Sequence, residues 1–226
     1  MTAIKKLKNL EYLDNIKGED SAVVLFHGYG ASMQDLHGIS NYSQAKYDWF
    51  FPNGPISVPL GFMMEGRAWF PIDMQELERA MATGTHRSFR EKRSDEFDRS
   101  KDMALEFLED MRKRYDKLVV GGFSQGAMLA SHTFSQAKAD GLALLSGTLI
   151  DEASLTKSVE SPRCKSFFQS HGKSDPVLSY KQAKDLYDLL VDKNLEGEFI
   201  EFQGAHEIPE SVLIGLDKYL NKIKRP

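Results

Sequence analysis

A serine held between glycines at the close of an apolar run is the first place where this sequence could do chemistry. Residues 122–126 read Gly122-Phe123-Ser124-Gln125-Gly126. In this G-x-S-x-G pattern a sharp strand-to-helix turn aims the serine oxygen away from the sheet, and flanking glycines admit neighbouring backbone. Chance alone produces the pattern in roughly one chain in ten of this length, so context must decide. Here the run KLVVG precedes it and the helix-like AMLASHTF follows, as such a turn requires.

A serine hydroxyl is a weak nucleophile and needs a base within hydrogen-bond reach, itself oriented by a third group. Of the six histidines, His206 is placed best: it stands in the short loop Gln203-Gly204-Ala205-His206 after EGEFIEF. The orienting acid is expected at Asp175, in HGKSDPV after KSFFQ. The chain order Ser, Asp, His is the one this kind of site uses. Asp140, Asp151 and Asp185 read as solvated or capping residues. His132 falls inside the helix after the serine, His37 and His86 fall in polar segments, and His171 belongs to a loop.

Attack on a carbonyl also needs two donors for the oxyanion. The Gln125 amide, first in the new helix, lacks an intrahelical partner. The Tyr29 amide is the second candidate, in His27-Gly28-Tyr29-Gly30 after VVLF. His27 itself is expected to brace that loop rather than to act as a base. The chemistry requires no metal and no cofactor.

The elements that must position these groups follow from hydrophobic pattern. Residues 21–26, 47–51, 117–121, 141–145, 165–169 and 196–202 read as strands, most too apolar to alternate, which suits strands buried on both faces of a parallel sheet. Residues 100–115, 179–193 and 207–222 carry helical periodicity, and residues 10–16 suggest one or two antiparallel edge strands. The expected fold is an α/β sheet with helices on both faces, where ligands sit beyond the carboxyl ends of the strands. The mixed-sign run at 86–101 reads as a solvated helix face or connection.

Length and composition allow this. A chain of 226 residues fits one domain around a sizeable core. Hydrophobic content of 41% and charged content of 27% are ordinary for a globular protein, and a formal charge of −4 gives no basic field for nucleic acid. No stretch is apolar for long enough to span a membrane. The N-terminus lacks the apolar core of a secretory signal. A single cysteine, Cys164, expected to be a buried residue on a strand, fits a reducing compartment. A cytoplasmic protein is expected.

With these pieces in place the chain resembles the phospholipase/carboxylesterase family of α/β-hydrolases, which includes acyl-protein thioesterases, lysophospholipases and small bacterial carboxylesterases. The resemblance runs from about Val23 to the C-terminus through LFHGYGAS, FFPNGP, RAWFPID, GGFSQGAML, LLSG, HGKSDPVLSY and GAHEIPESVL, in order. It implies a single α/β-hydrolase domain over 1–226, with Ser124 as nucleophile, Asp175 and His206 as its partners, and the Tyr29 and Gln125 amides as the oxyanion hole. It implies that residues 56–70 form a short loop or hairpin that covers the active site and helps form an acyl groove. Leu60, Phe62, Met63 and Met64 form an apolar cluster there that suits this role or a place in the core. Trp69 is a candidate for substrate contact or for a plug under the site. Ala127 stands where the family usually has glycine, Ala205 where it often has glycine, and Ser179 where relatives often have proline.

The implied reaction is hydrolysis of acyl esters or thioesters, as a monomer or homodimer. Lysophospholipase and acyl-protein thioesterase activities lie within the same family. A peptidase or lipase would use the same triad with another pocket, and a non-catalytic binding module would be expected to lack a triad member.

Overall fold

Val24 and Phe26 join one buried cluster while their neighbours Val23 and Leu25 join another, so this strand must be covered on both sides. The computed structural model describes residues 3–61, 64–159 and 162–224. Its strands are β1 (Lys5–Leu7), β2 (Leu10–Asn15), β3 (Ser21–Phe26), β4 (Asp48–Pro52), β5 (Ile56–Pro59), β6 (Glu65–Ala68), β7 (Lys117–Phe123), β8 (Gly141–Leu145), β9 (Ser166–Gly172) and β10 (Glu196–Phe202). Eight of them form one sheet in the order β1-β2-β4-β3-β7-β8-β9-β10. Pairings from β4 to β10 are parallel, and β1 and β2 add the antiparallel edge. β5 and β6 pair as a separate antiparallel hairpin.

The helices are α1 (His37–Tyr42), α2 (Met74–Thr83), α3 (Asp95–Arg114), α4 (Gln125–Thr133), α5 (Glu152–Ser158), α6 (Tyr180–Asp192) and α7 (Glu210–Lys224). Phe107, Leu108 and Met111 of α3 pack with Met128 of α4, Leu155 of α5 and Leu186 of α6 against Val24, Val120 and Leu144. On the opposite face Ile39 of α1 and Val212, Leu216 and Leu220 of α7 meet Val23, Val119 and Leu145. The result is a mostly parallel sheet with helices on both faces, in a single α/β domain.

Two differences from the sequence reading have local causes. The helix expected at 100–115 starts at Asp95, because Ser94 Oγ accepts the Phe97 amide at 3.1 Å and Asp95, Glu96 and Asp98 fill the first turn. The run at 86–101 is therefore split. Its first part is a mostly exposed connection, as expected, in which Arg87 and Phe89 are buried, with Phe89 bridged to Ile150. Cys164 is buried as expected but precedes β9 rather than lying in a strand. Burial pushes its thiol up to about 12.

Candidate active site

Ser124 occupies the corner between β7 and α4 with φ 54° and ψ −117°, a positive-φ conformation that costs a residue with a Cβ about 1–3 kcal/mol. The surroundings enforce it. A Cβ on Gly122 would lie 2.4 Å from the Gly126 carbonyl carbon, and one on Gly126 would lie 2.0 Å from the Phe26 oxygen. The turn therefore packs directly on the end of β3, and only glycines fit. Ala127 is accommodated in turn by Gly147, whose missing Cβ would stand 2.6 Å from the Ala127 Cβ.

Ser124, His206 and Asp175 come together in a line. Ser124 Oγ lies 2.8 Å from His206 Nε2, and His206 Nδ1 lies 2.6 Å from Asp175 Oδ2. The histidine ring packs tilted against Phe123 at 4.8 Å between ring centroids. The two loops that carry acid and base are joined by backbone: the Lys173 amide donates to the Phe202 oxygen at 2.9 Å and the Ser174 amide to the Gly204 oxygen at 3.0 Å. Gly172 permits this, since a Cβ there would lie 2.2 Å from the Ala205 oxygen.

Asp175 is fully enclosed and held at both oxygens. Oδ1 accepts the amides of Val177 at 2.8 Å and Leu178 at 3.0 Å. Burial alone would raise its pKa, but the hydrogen bond and charge of His206 and these amides hold it below the ordinary carboxylate value. His171 ends β9 rather than sitting in a loop. Its Nε2 is 3.0 Å from the Leu178 oxygen, so it props the same loop. His86 Nε2 likewise reaches the Asp175 carbonyl at 2.8 Å.

The loop after β3 faces the serine. A Cβ on Gly28 would lie 3.3 Å from Ser124 Cβ, which sets the neighbouring Tyr29 beside the nucleophilic position. His27 braces this loop: its Nε2 accepts the Gly54 amide at 2.8 Å and its Nδ1 donates to the Gly28 oxygen at 2.7 Å. Burial drives its pKa down to about 4, so it is a neutral strut. Gln125 does more than its amide position suggested. Its side chain accepts the Trp69 amide at 2.8 Å and donates to the Phe70 oxygen at 2.7 Å.

Trp69 is fully buried, with its indole N–H on the His27 oxygen at 2.9 Å. It is thus a plug under the site and does not contact the cavity at Ser124. That cavity, about 230 Å³, reaches Ser124, His206, Tyr29 and Gln125. Its walls are Phe70, Ile72, Leu77, Phe89, Met128 and Leu178, with Val177 and Arg87. Leu60 and Met64, expected as groove residues, are exposed and do not line it. Phe62 and Met63 lie outside the described residues. The lining comes instead from the segment after Trp69, from α2, from the 86–94 connection, from α4 and from the loop after Asp175. Only the apolar Phe70, Ile72 and Met128, close in sequence to recognised motifs, signalled this role.

The hairpin of β5 and β6 is attached to the same loop. Arg67 O accepts the Gly30 amide at 2.9 Å, and the Arg67 amide donates to the Ala31 oxygen at 2.7 Å. A model of the phospholipase/carboxylesterase family matches residues 13–224. Acyl-protein thioesterase 1 of Candida albicans is 30% identical over 230 residues, covering 90% of this chain and 92% of that protein. Among solved structures, a carboxylesterase from Mesorhizobium loti aligns with a TM-score of 0.73 at 16% identity, covering 97% of this chain and 98% of that one. Acyl-protein thioesterase 2 of Zea mays aligns with a TM-score of 0.70 at 19% identity, covering 94% and 98%.

Proposed function

The chain belongs to the phospholipase/carboxylesterase family and is a serine hydrolase acting on ester bonds, and from that premise we propose that Ser124, His206 and Asp175 are its catalytic triad. The observation that carries this is the line of contacts at 2.8 Å and 2.6 Å through the two nitrogens of His206. His206 Nε2 takes the Ser124 proton as Oγ attacks the carbonyl. Asp175 Oδ2 accepts the Nδ1 proton, keeps the ring oriented and steadies the imidazolium. The amides of Tyr29 and Gln125 donate to the oxyanion. His206 then protonates the departing alcohol or thiol, and water repeats the sequence on the acyl-enzyme to release the acid.

The cavity beside Ser124 serves as the acyl site. Its volume of about 230 Å³ is below the roughly 300–1,000 Å³ of sites for drug-sized ligands, which favours short acyl groups. The hairpin of β5 and β6 borders the site through its backbone bonds to the loop that carries Tyr29. An acyl-protein thioesterase activity is the second reading, favoured by the 30% identity to the Candida albicans protein of that name. The buried, unpaired Cys164 supports a reducing, cytoplasmic setting. One chain supplies the whole triad, so monomer and homodimer are equally competent.

Ser124→Ala tests the reading. It should fold normally and lose p-nitrophenyl ester hydrolysis by about 10⁴-fold or more, since triad members act as a unit. Retention of more than about a few per cent of activity would sink it.

A further inference from the structure

Arg87 is the charged residue at the site that ester hydrolysis does not use. It lies in the connection between α2 and α3, with 4% of its side chain exposed. Its partners fall short of its charge. Nη1 is 3.4 Å from the Asp73 carbonyl and 3.9 Å from Glu76 Oε2, but that Glu76 oxygen is taken by Lys92 Nζ at 2.7 Å. Nε has no hydrogen-bond partner among the described residues. The remaining contact is the face of the Phe89 ring, 4.9 Å from the guanidinium carbon.

A guanidinium carries five donors and keeps its charge. Enclosing one whose nearest carboxylate oxygen lies 3.9 Å away and is shared with Lys92 leaves donors unanswered, and an apolar side chain would fill the space at lower cost. Its location gives the unmet donors a use. Arg87, Phe70, Ile72 and Phe89 border both the cavity at Ser124 and a second one of about 120 Å³. Lys92 and Arg93 also line the second cavity, against one acid, Asp73.

We propose that Arg87 is a specificity-determining residue that receives an anionic group, a carboxylate or phosphate, borne by the ester substrate in the cavity at Ser124. The planar fork of arginine suits such a group in two-point contact. The assignment rests on Ser124 being the nucleophile. The anion can sit on the acyl part or on the leaving alcohol, and two pairs of substrates separate these sources. One pair is p-nitrophenyl hydrogen glutarate against p-nitrophenyl valerate. The other is 1-butyrylglycerol 3-phosphate against 1-butyrylglycerol.

In at least one pair the wild-type enzyme should favour the anionic member in kcat/KM by about tenfold or more, as expected for a charge-assisted contact. Arg87→Met should bring that ratio to one or below, chiefly through KM for the anionic member. Arg87→Lys should keep part of the preference, having the charge without the fork. Ratios at or below one in both pairs for wild type would overturn the proposal. So would a ratio unchanged in folded Arg87→Met, or an equal loss on both members. If Arg87→Met fails to fold, wild type decides: glutaramate must inhibit neutral-ester hydrolysis more strongly than uncharged glutaramide, or glycerol 3-phosphate more strongly than glycerol, and equal inhibition in both comparisons would overturn the proposal. Hydrolysis of the neutral esters that disappears in Ser124→Ala, without any anion preference, would remove only the role of Arg87. Absence of hydrolysis on every ester would remove the esterase reading itself.

Discussion

At the scale of single residues, the Asp175 carboxylate fixes which nitrogen of His206 carries the proton. An amide there can present N–H to the ring and hold the wrong tautomer. Asp175→Asn should therefore fold and lose about 10⁴-fold in kcat, measured on a p-nitrophenyl ester with the melting curve as control. An unchanged kcat would remove Asp175 from the triad. Because its pKa is held below the ordinary value, the ionised form is favoured by the folded state. Its contribution to stability is present above the unfolded value of about 3.9 and is lost as pH falls toward the lower folded value. The juxtaposition of Ser124, Asp175 and His206 was legible in the sequence because each stands shortly after a strand that its own composition announces. Arg87 was not, since a charge run gives no sign that packing will enclose one member. Trp69 was half legible: its place near the site was clear, but only the bond from its indole to the His27 carbonyl separates a plug from a substrate contact.

At the scale of elements, the site depends on close approaches between loops and strand ends. Gly172→Ala would place a Cβ 2.2 Å from the Ala205 oxygen and push the His206 loop outward. Since a misplacement of about 1 Å costs on the order of 10²-fold, kcat should fall by that amount, with a smaller change in KM. Wild-type kcat in this variant would contradict the packing. Gln125→Leu should destabilise by about 2–4 kcal/mol in urea unfolding, because it leaves the buried Trp69 amide and Phe70 carbonyl without partners at about 1–3 kcal/mol each. A loss within about 0.5 kcal/mol would show that these groups find other partners. The parallel strands were legible because both of their faces are apolar, and the edge strand because its neighbour is not. The short helices α1, α2 and α5 were not. Each is held by contacts made elsewhere in the chain: Asp151, for example, caps α5 through the Ser154 amide while its own amide bonds to the Phe89 oxygen. The lining of the cavity at Ser124 was missed for the same reason, since it draws on segments far apart in sequence that only the folded chain assembles.

At the scale of the whole molecule, two buried histidines tie stability to pH. Burial lowers His27 and His132 from 6.5 to about 4, and it lowers His171 in the same direction. Between pH 6.5 and 4 the unfolded chain binds protons that the folded one refuses, so stability falls as pH falls through that window. The loss approaches roughly 3 kcal/mol for each of His27 and His132 when the window is crossed. Urea midpoints should hold from pH 8 to 7 as far as these groups are concerned and then drop toward pH 4.5. A midpoint constant to pH 4.5 would contradict their burial as neutral rings. His27 also braces the loop beside Ser124 through the Gly54 amide and the Gly28 oxygen, so fold stability and site geometry share one set of contacts. The most direct measurement of the central claim is peptide mapping by mass spectrometry after reaction with a fluorophosphonate, which forms a stable adduct with an activated serine. A single adduct on Ser124, abolished in His206→Ala, is the predicted result. No adduct, or one on any other residue, would contradict it.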